Sequence, residues 1–288
     1  MRQSVKWHRL TRTIMVVAIV TTALGCASTR HGGRQSGSSC QNMPATMVPQ
    51  PIEVDVPLNG RVEQMEVSVG GGKTRKLMLY LPPQYDTDHD SLAVIYLLHG
   101  LNGNERAWIE RGNAAAAIDS LITNRITRPV LLAMPDCGPH YKHKDRCMIV
   151  NMLRYPRWLR CEFEKEFRVI DSQLCAAYKV CSNEKVIAGL SAGATQAANL
   201  ALMYDSLVSV VGLFSPVIHR RHLPADTFTE YWIGVGRHDI FRSESRCFIK
   251  KLDKRAVCRS EYFSAGRHTW KNWRLYLVEF MKCVYGYW

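Results

Sequence analysis

Runs of apolar residues of two periods alternate along the chain from residue 52 onward. "RVEQMEVSV" and "KLMLYLPP" mix apolar and polar positions and flank the turn "GGGK" at 70–73, which predicts a pair of strands at the edge of a sheet. "LAVIYLLHG" is almost continuously apolar, as expected of a parallel strand covered on both faces. A helix-like "NAAAAIDSLITN" and a strand at "VLLAMPD" follow, then an irregular stretch over 137–155 and a helix over 157–178. The strand "KVIAGL" runs into a turn at Ser191 and an Ala-rich helix. Strands at "SVVGLFSP" and "YWIGVG", a helix over 243–254, a short strand at "RSEYF" and a terminal helix from Trp270 complete the pattern. Strands alternating with helices predict an α/β fold with a mostly parallel central sheet and helices on both faces. In such folds ligands bind beyond the carboxyl ends of the strands.

Residues 1–51 do not follow this pattern. Arg2, Lys6, Arg9 and Arg12 form a basic head without an acidic residue, and an apolar stretch over 14–24 follows. It is short for a membrane span and is followed by the small residues Gly25, Cys26 and Ala27, so 1–25 reads as an export signal. "TALGC" resembles the lipobox of bacterial lipoproteins, with Ala23 and Leu24 in swapped order; that resemblance implies lipidation of Cys26 and a membrane-anchored envelope protein, with ordinary cleavage near Ala27 and a periplasmic or secreted protein as the alternative. Residues 26–51 are polar and Gly/Ser-rich, as in a flexible tether, which leaves 52–288 as one domain.

Composition narrows the class. The formal net charge is +13, of which four belong to the signal, leaving +9 on the mature chain. The basic residues are dispersed and match no nucleic-acid-binding signature, so the charge reads as a basic surface, attracted at most to anionic polysaccharide or a membrane. Apart from Cys26 there are nine cysteines: Cys40, Cys137, Cys147, Cys161, Cys175, Cys181, Cys247, Cys258 and Cys283. In an exported protein some of these are expected in disulfides. Cys161 and Cys175 fall in one expected helix, at about 1.5 Å of rise per residue, too far apart to bridge each other. No zinc-type ligand spacing occurs, and no metal or other cofactor is expected.

The candidate chemistry lies in "IAGLSAGATQAANL", residues 187–200. Gly189, Ser191 and Gly193 form G-x-S-x-G between a strand and a helix, the setting in which a sharp turn lifts a serine hydroxyl above the sheet edge. Glycines are required because a side chain at either flank would clash across the turn. "YWIGVG" ends in "RHDIF", which puts Asp239 just past a strand end, and "SAGRHTWKNW" puts His268 before the last helix. Taken singly, such an Asp is a turn residue and such a His is solvated. In the order Ser, Asp, His, each after a different strand, they form a nucleophile, an orienting acid and a base. Asp226, Glu230 and Asp253 are weaker acids for this role, since none directly follows a strand. Backbone N–H groups of Ala192 and of Leu101, in the loop after "YLLHG", are the expected oxyanion donors.

"LMLYLPPQYD", "VIYLLHGLNGNERAW", "LLAMPD", "IAGLSAGA" and "GRHTWKNWRLYLVEF" together resemble, in order and over 76–280, the esterase D/feruloyl esterase branch of the α/β-hydrolases. The resemblance implies the α/β-hydrolase fold, a serine esterase acting through an acyl-enzyme, and the roles already given to Ser191, Asp239, His268, Leu101 and Ala192. The sequence departs from the family's Met-Gly-Gly after the serine, having Ala192, Gly193 and Ala194. The Ala192 N–H is retained and the smaller side chain widens the acyl pocket or loosens the turn. Export points to acetyl or feruloyl esters of cell-wall polysaccharide as substrates. Trp108, Tyr141 and Trp158 are candidate substrate-binding aromatics, with Tyr155 beside them, while Trp270 and Trp273 are expected to anchor the last helix. The alternatives are an acyltransferase of the mycolyltransferase kind, a siderophore esterase of the enterochelin type, and a non-catalytic carbohydrate-binding member.

Overall fold

The computed structural model describes residues 50–88, 92–139, 162–180, 185–204, 206–218, 229–254 and 259–287. Nine strands form one sheet: β1 (Gln50–Ile52), β2 (Arg61–Gly70), β3 (Lys73–Leu81), β4 (Ala93–Leu98), β5 (Val130–Pro135), β6 (Lys185–Leu190), β7 (Val208–Phe214), β8 (Glu230–Gly236) and β9 (Arg259–Ser264). Their order is β1-β2-β3-β5-β4-β6-β7-β8-β9. The six strands from β5 to β9 pair in parallel, and β1, β2 and β3 extend the sheet antiparallel. The helices are α1 (Ala107–Glu110), α2 (Ala114–Thr123), α3 (Glu162–Tyr178), α4 (Ala192–Met203), α5 (Arg242–Asp253) and α6 (Trp270–Tyr285).

β3 is not an edge strand as the sequence pattern predicts, whereas β2 is paired on its outer side only over Val62–Gln64 and otherwise runs along the edge. β3 is bonded on one side to β2 and on the other to β5, and β1 caps β2. The physical cause is visible in β3 itself, where Leu77–Leu81 is buried at every position, as a strand covered on both faces must be. The four-residue α1 and the strand β1 carry no periodic signal and emerge only from the structure.

Side-chain alternation divides the core between the two faces of the sheet. Along β4, Val94, Tyr96 and Leu98 join a cluster with Phe163, Phe167, Ala197 and Phe248, whereas Ile95 and Leu97 join one with Trp108, Ile118, Tyr276 and Phe280. The first face is therefore covered by α3, α4 and α5, and the second by α1, α2 and α6. α3 presents Phe163, Phe167, Ile170, Leu174 and Tyr178, spaced by three to four residues, to the sheet. α4 is buried over Ala192–Ala201, consistent with its small, nearly uniform side chains. It lies at the end of β6, where the turn between them falls in the middle of the parallel strands.

Candidate active site

β6 delivers Ser191 to the carboxyl edge of the sheet. Ser191 has φ 52° and ψ −111°, a conformation that costs an L-residue roughly 1–3 kcal/mol and persists only where its surroundings enforce it. Its N–H donates to the Phe214 carbonyl at 2.8 Å, and its carbonyl accepts from the Thr195 N–H at 3.3 Å. Both flanking glycines are required by close backbone approach. A Cβ on Gly189 would stand 2.5 Å from the Gly193 carbonyl group, and one on Gly193 would meet the carbonyl oxygens of Leu98 and His99. Neither collision is with a movable side chain, so the turn admits only glycine there.

The ends of β8 and β9 supply the partners. His268 Nε2 lies 3.0 Å from Ser191 Oγ, and His268 Nδ1 lies 3.1 and 3.2 Å from the two Asp239 carboxylate oxygens. The loops that carry Asp239 and His268 are tied together, because the Arg237 N–H donates to the Ser264 carbonyl and the His238 N–H to that of Gly266. Asn272 Nδ2 donates to the Arg267 carbonyl and pins the His268 loop to the start of α6. The His268 ring is wedged edge-on between Phe241, at 5.0 Å, and Trp273, at 4.8 Å. Its rotation is restricted, so the hydrogen bonds at its two nitrogens form with little further ordering.

The Asp239 side chain has no solvent exposure. Burial alone would raise its pKa, but hydrogen bonding and attraction from His268, the Phe241 N–H at 2.8 Å and the Ser215 hydroxyl outweigh it and hold the carboxyl below its ordinary range. The group is thus an ion poised beside the His268 Nδ1–H, fixing the tautomer that leaves Nε2 free to accept from Ser191. Ser215 is buried, has φ 54°, and accepts from Trp273 Nε1 at 3.1 Å. Sequence reading missed Ser215; its only signal is its place directly after the apolar strand β7, beside the other strand ends.

Ala192 opens α4, where the first N–H groups of a helix have no intrahelical acceptor. Leu101 follows Gly100, which sits against the turn: a Cβ on Gly100 would stand 3.6 Å from Ser191 Cβ. Trp108 does not stand where a substrate-binding aromatic would. Trp108 is 1% exposed, donates from Nε1 to the Leu98 carbonyl at 3.0 Å and packs on Phe214 and Trp270. It is a core residue beneath the end of β4 rather than a substrate-binding surface, because α1 turns its ring inward. Trp270 and Trp273 lie in the first turn of α6, Trp270 half-buried against Trp108 and Trp273 bonded to Ser215. Tyr141, Tyr155, Trp158, Cys26 and Asp226 lie outside the described residues. Glu230 is exposed at the start of β8, the opposite end of the strand from Asp239, and Asp253 pairs with Arg259 at 2.5 Å. Among the described residues Cys137, Cys175, Cys247 and Cys283 are free thiols; the remaining cysteines lie outside them.

A serine at a strained strand-to-helix turn, in the middle of a mostly parallel sheet, with Asp and His from later strand ends, defines an α/β-hydrolase. A family model described as "Putative esterase" matches residues 68–277. The chain belongs to that family, and with it to the carboxylic ester hydrolases. Among solved structures it is similar to a CE1 ferulic acid esterase from the anaerobic fungus Anaeromyces mucronatus, at 16% identity and TM-score 0.65 over 80% of this chain and 92% of the other. It is also similar to a fluorophosphonate-binding serine hydrolase of Staphylococcus aureus, at 13% identity and TM-score 0.60 over 78% and 98%. An S-formylglutathione hydrolase of the same organism matches at 16% identity and TM-score 0.57 over 79% and 98%. These likenesses carry the fold.

Proposed function

We propose that the protein is an exported serine esterase that acts through an acyl-enzyme on Ser191. The observation that carries the reading is the unbroken chain of contacts from Ser191 Oγ through His268 to Asp239 at the strained turn. His268 Nε2 takes the Ser191 hydroxyl proton as Oγ attacks the ester carbonyl carbon. The oxyanion is held by the N–H groups of Ala192 and Leu101. The imidazolium, stabilised by the Asp239 carboxylate, then gives its proton to the departing alcohol oxygen. Water, deprotonated by His268, attacks the acyl-enzyme in the second half-reaction, releases the carboxylic acid and restores Ser191.

Acetyl or feruloyl esters of cell-wall polysaccharide are the proposed substrates. The basic head and apolar core of residues 1–25 support export, Cys26 supports a lipid anchor in the cell envelope, and the similarity to ferulic acid esterases supports the acyl class. The test is Ser191→Ala. The variant is expected to fold, since it removes one hydroxyl, and to lose hydrolysis of p-nitrophenyl acetate and of methyl ferulate. Mass spectrometry is expected to find a fluorophosphonate adduct on the Ser191 peptide of the wild type. A folded Ser191→Ala protein with near-normal activity would overturn the mechanism.

A further inference from the structure

His99 belongs to none of the contacts within the Ser191–His268–Asp239 chain, yet it is 1% exposed and both of its ring nitrogens are engaged. Nδ1 lies 2.8 Å from the Gly100 carbonyl oxygen. That oxygen can only accept, so Nδ1 carries the proton. The same carbonyl accepts from the Gly103 N–H at 3.0 Å, closing a turn in which Asn102 has φ 62°. Gly103 leaves no space around the ring, since a Cβ there would stand 2.7 Å from Nδ1. On the far side, Nε2 lies 3.1 Å from Asp136 Oδ1 and 3.1 Å from the Cys137 backbone nitrogen. Asp136 is held in turn by the Gly138 N–H at 2.9 Å and, through its carbonyl, by Arg75 Nη1 at 3.0 Å.

We infer that His99 is a positioning residue for the oxyanion hole, clamping the Gly100–Leu101 peptide so that the Leu101 N–H faces away from the ring and out of the core. The inference rests on the esterase reading of Ser191. Its physical basis is the planarity of the peptide unit. In a trans peptide the C=O and N–H point in opposite directions, so whatever fixes the Gly100 carbonyl also fixes the Leu101 N–H. Gly100 itself lies against Leu190 and Ser191, which sets this peptide beside the reacting hydroxyl. Donation to the carbonyl also polarises the amide and strengthens its N–H as a donor. The ring is anchored to the end of β5 through Asp136 and Cys137, so β5 braces a loop that follows β4. The neutral ring accepts at Nε2 from the Cys137 N–H and the charged ring donates there to Asp136 Oδ1, so Nδ1 donates to the Gly100 carbonyl in both states.

The test compares His99→Ala, His99→Asn and His99→Gln with the wild type. Asn can present its amide N–H near the position of Nδ1, and Gln near that of Nε2. Displacing an oxyanion donor costs about 10–100-fold in turnover, so His99→Ala and His99→Gln are expected to lose that much kcat on p-nitrophenyl acetate while KM changes by less than about threefold. Affinity for a trifluoromethyl ketone, whose hemiketal oxyanion occupies the hole, should fall in parallel. His99→Asn should recover most of both losses. If His99→Ala does not fold, the Asn and Gln variants compared at equal Tm carry the decision. A folded His99→Ala with unchanged kcat, or Gln recovering activity as well as Asn, would overturn the positioning role. Wild-type hydrolysis that Ser191→Ala abolishes establishes the underlying reading separately; its absence would overturn both together.

Discussion

Replacing Asp239 by Asn tests the least exposed link of the site. The side chain has no solvent exposure, so water cannot take over the role of the lost charge. The carboxylate accepts from His268 Nδ1, the Phe241 N–H and the Ser215 hydroxyl. An Asn oxygen on the Phe241 N–H, which keeps the loop in place, turns the amide N–H₂ toward the position 3.2 Å from Nδ1. Donation to Nδ1 favours the tautomer with the proton on Nε2, and Ser191 then faces a donor where it needs a base. The imidazolium formed in the reaction also loses its counter-ion. Together these are expected to lower kcat by about four orders of magnitude, which is about 5.5 kcal/mol of transition-state stabilisation. KM and Tm should change little, because shape and the Phe241 contact are retained. The assay is steady-state hydrolysis of p-nitrophenyl acetate near pH 8, with thermal unfolding by circular dichroism as the control for folding. A loss below about tenfold in a folded variant would refute the assignment, since no wrong-tautomer state could then dominate.

Three further outcomes are expected. Lys185 and Asp171 form a 3.0 Å ion pair with side-chain exposures of 3% and 15%, and Asp171 also accepts from Tyr96 at 2.6 Å; Asp171→Ala should destabilise the fold by about 3–5 kcal/mol in urea titration, because it strands a buried ammonium, while the folded fraction keeps its activity. Ser215→Ala removes one of the donors that depress the Asp239 pKa. The stability conferred by that depressed carboxyl is present above the unfolded value of about 3.9 and is lost as pH falls through the folded pKa, so the variant should lose stability at higher pH than the wild type in acid unfolding; identical acid midpoints would contradict the proposed bond. If Cys26 carries a lipid, the wild type should sediment with membranes and Cys26→Ser should be released; recovery of soluble wild type beginning near Ser28 would refute the anchor.

The alternation of apolar runs was enough to predict a mostly parallel sheet clothed in helices, because the strands β4 to β8 are apolar enough to be recognised without knowing their neighbours. It was also enough to nominate Ser191, Asp239 and His268, since each follows a strand and the strand ends of such a sheet share one edge. What it left undecided depends on contacts between segments distant in the chain. The inner position of β3 is a matter of pairing with β5, and nothing local records the partner. Trp108 read as a surface aromatic because a bulky ring beside a loop looks the same whether it faces solvent or core; the direction of α1 and an acceptor at Leu98 sent it inward. Ser215 and His99 acquire their partners only when β7 meets α6 and when the end of β4 meets that of β5. A hydrophobic period is a property of the chain, legible wherever burial is decided locally, whereas a hydrogen bond between residues 38 or 58 positions apart exists only once the sheet has brought its strand ends together.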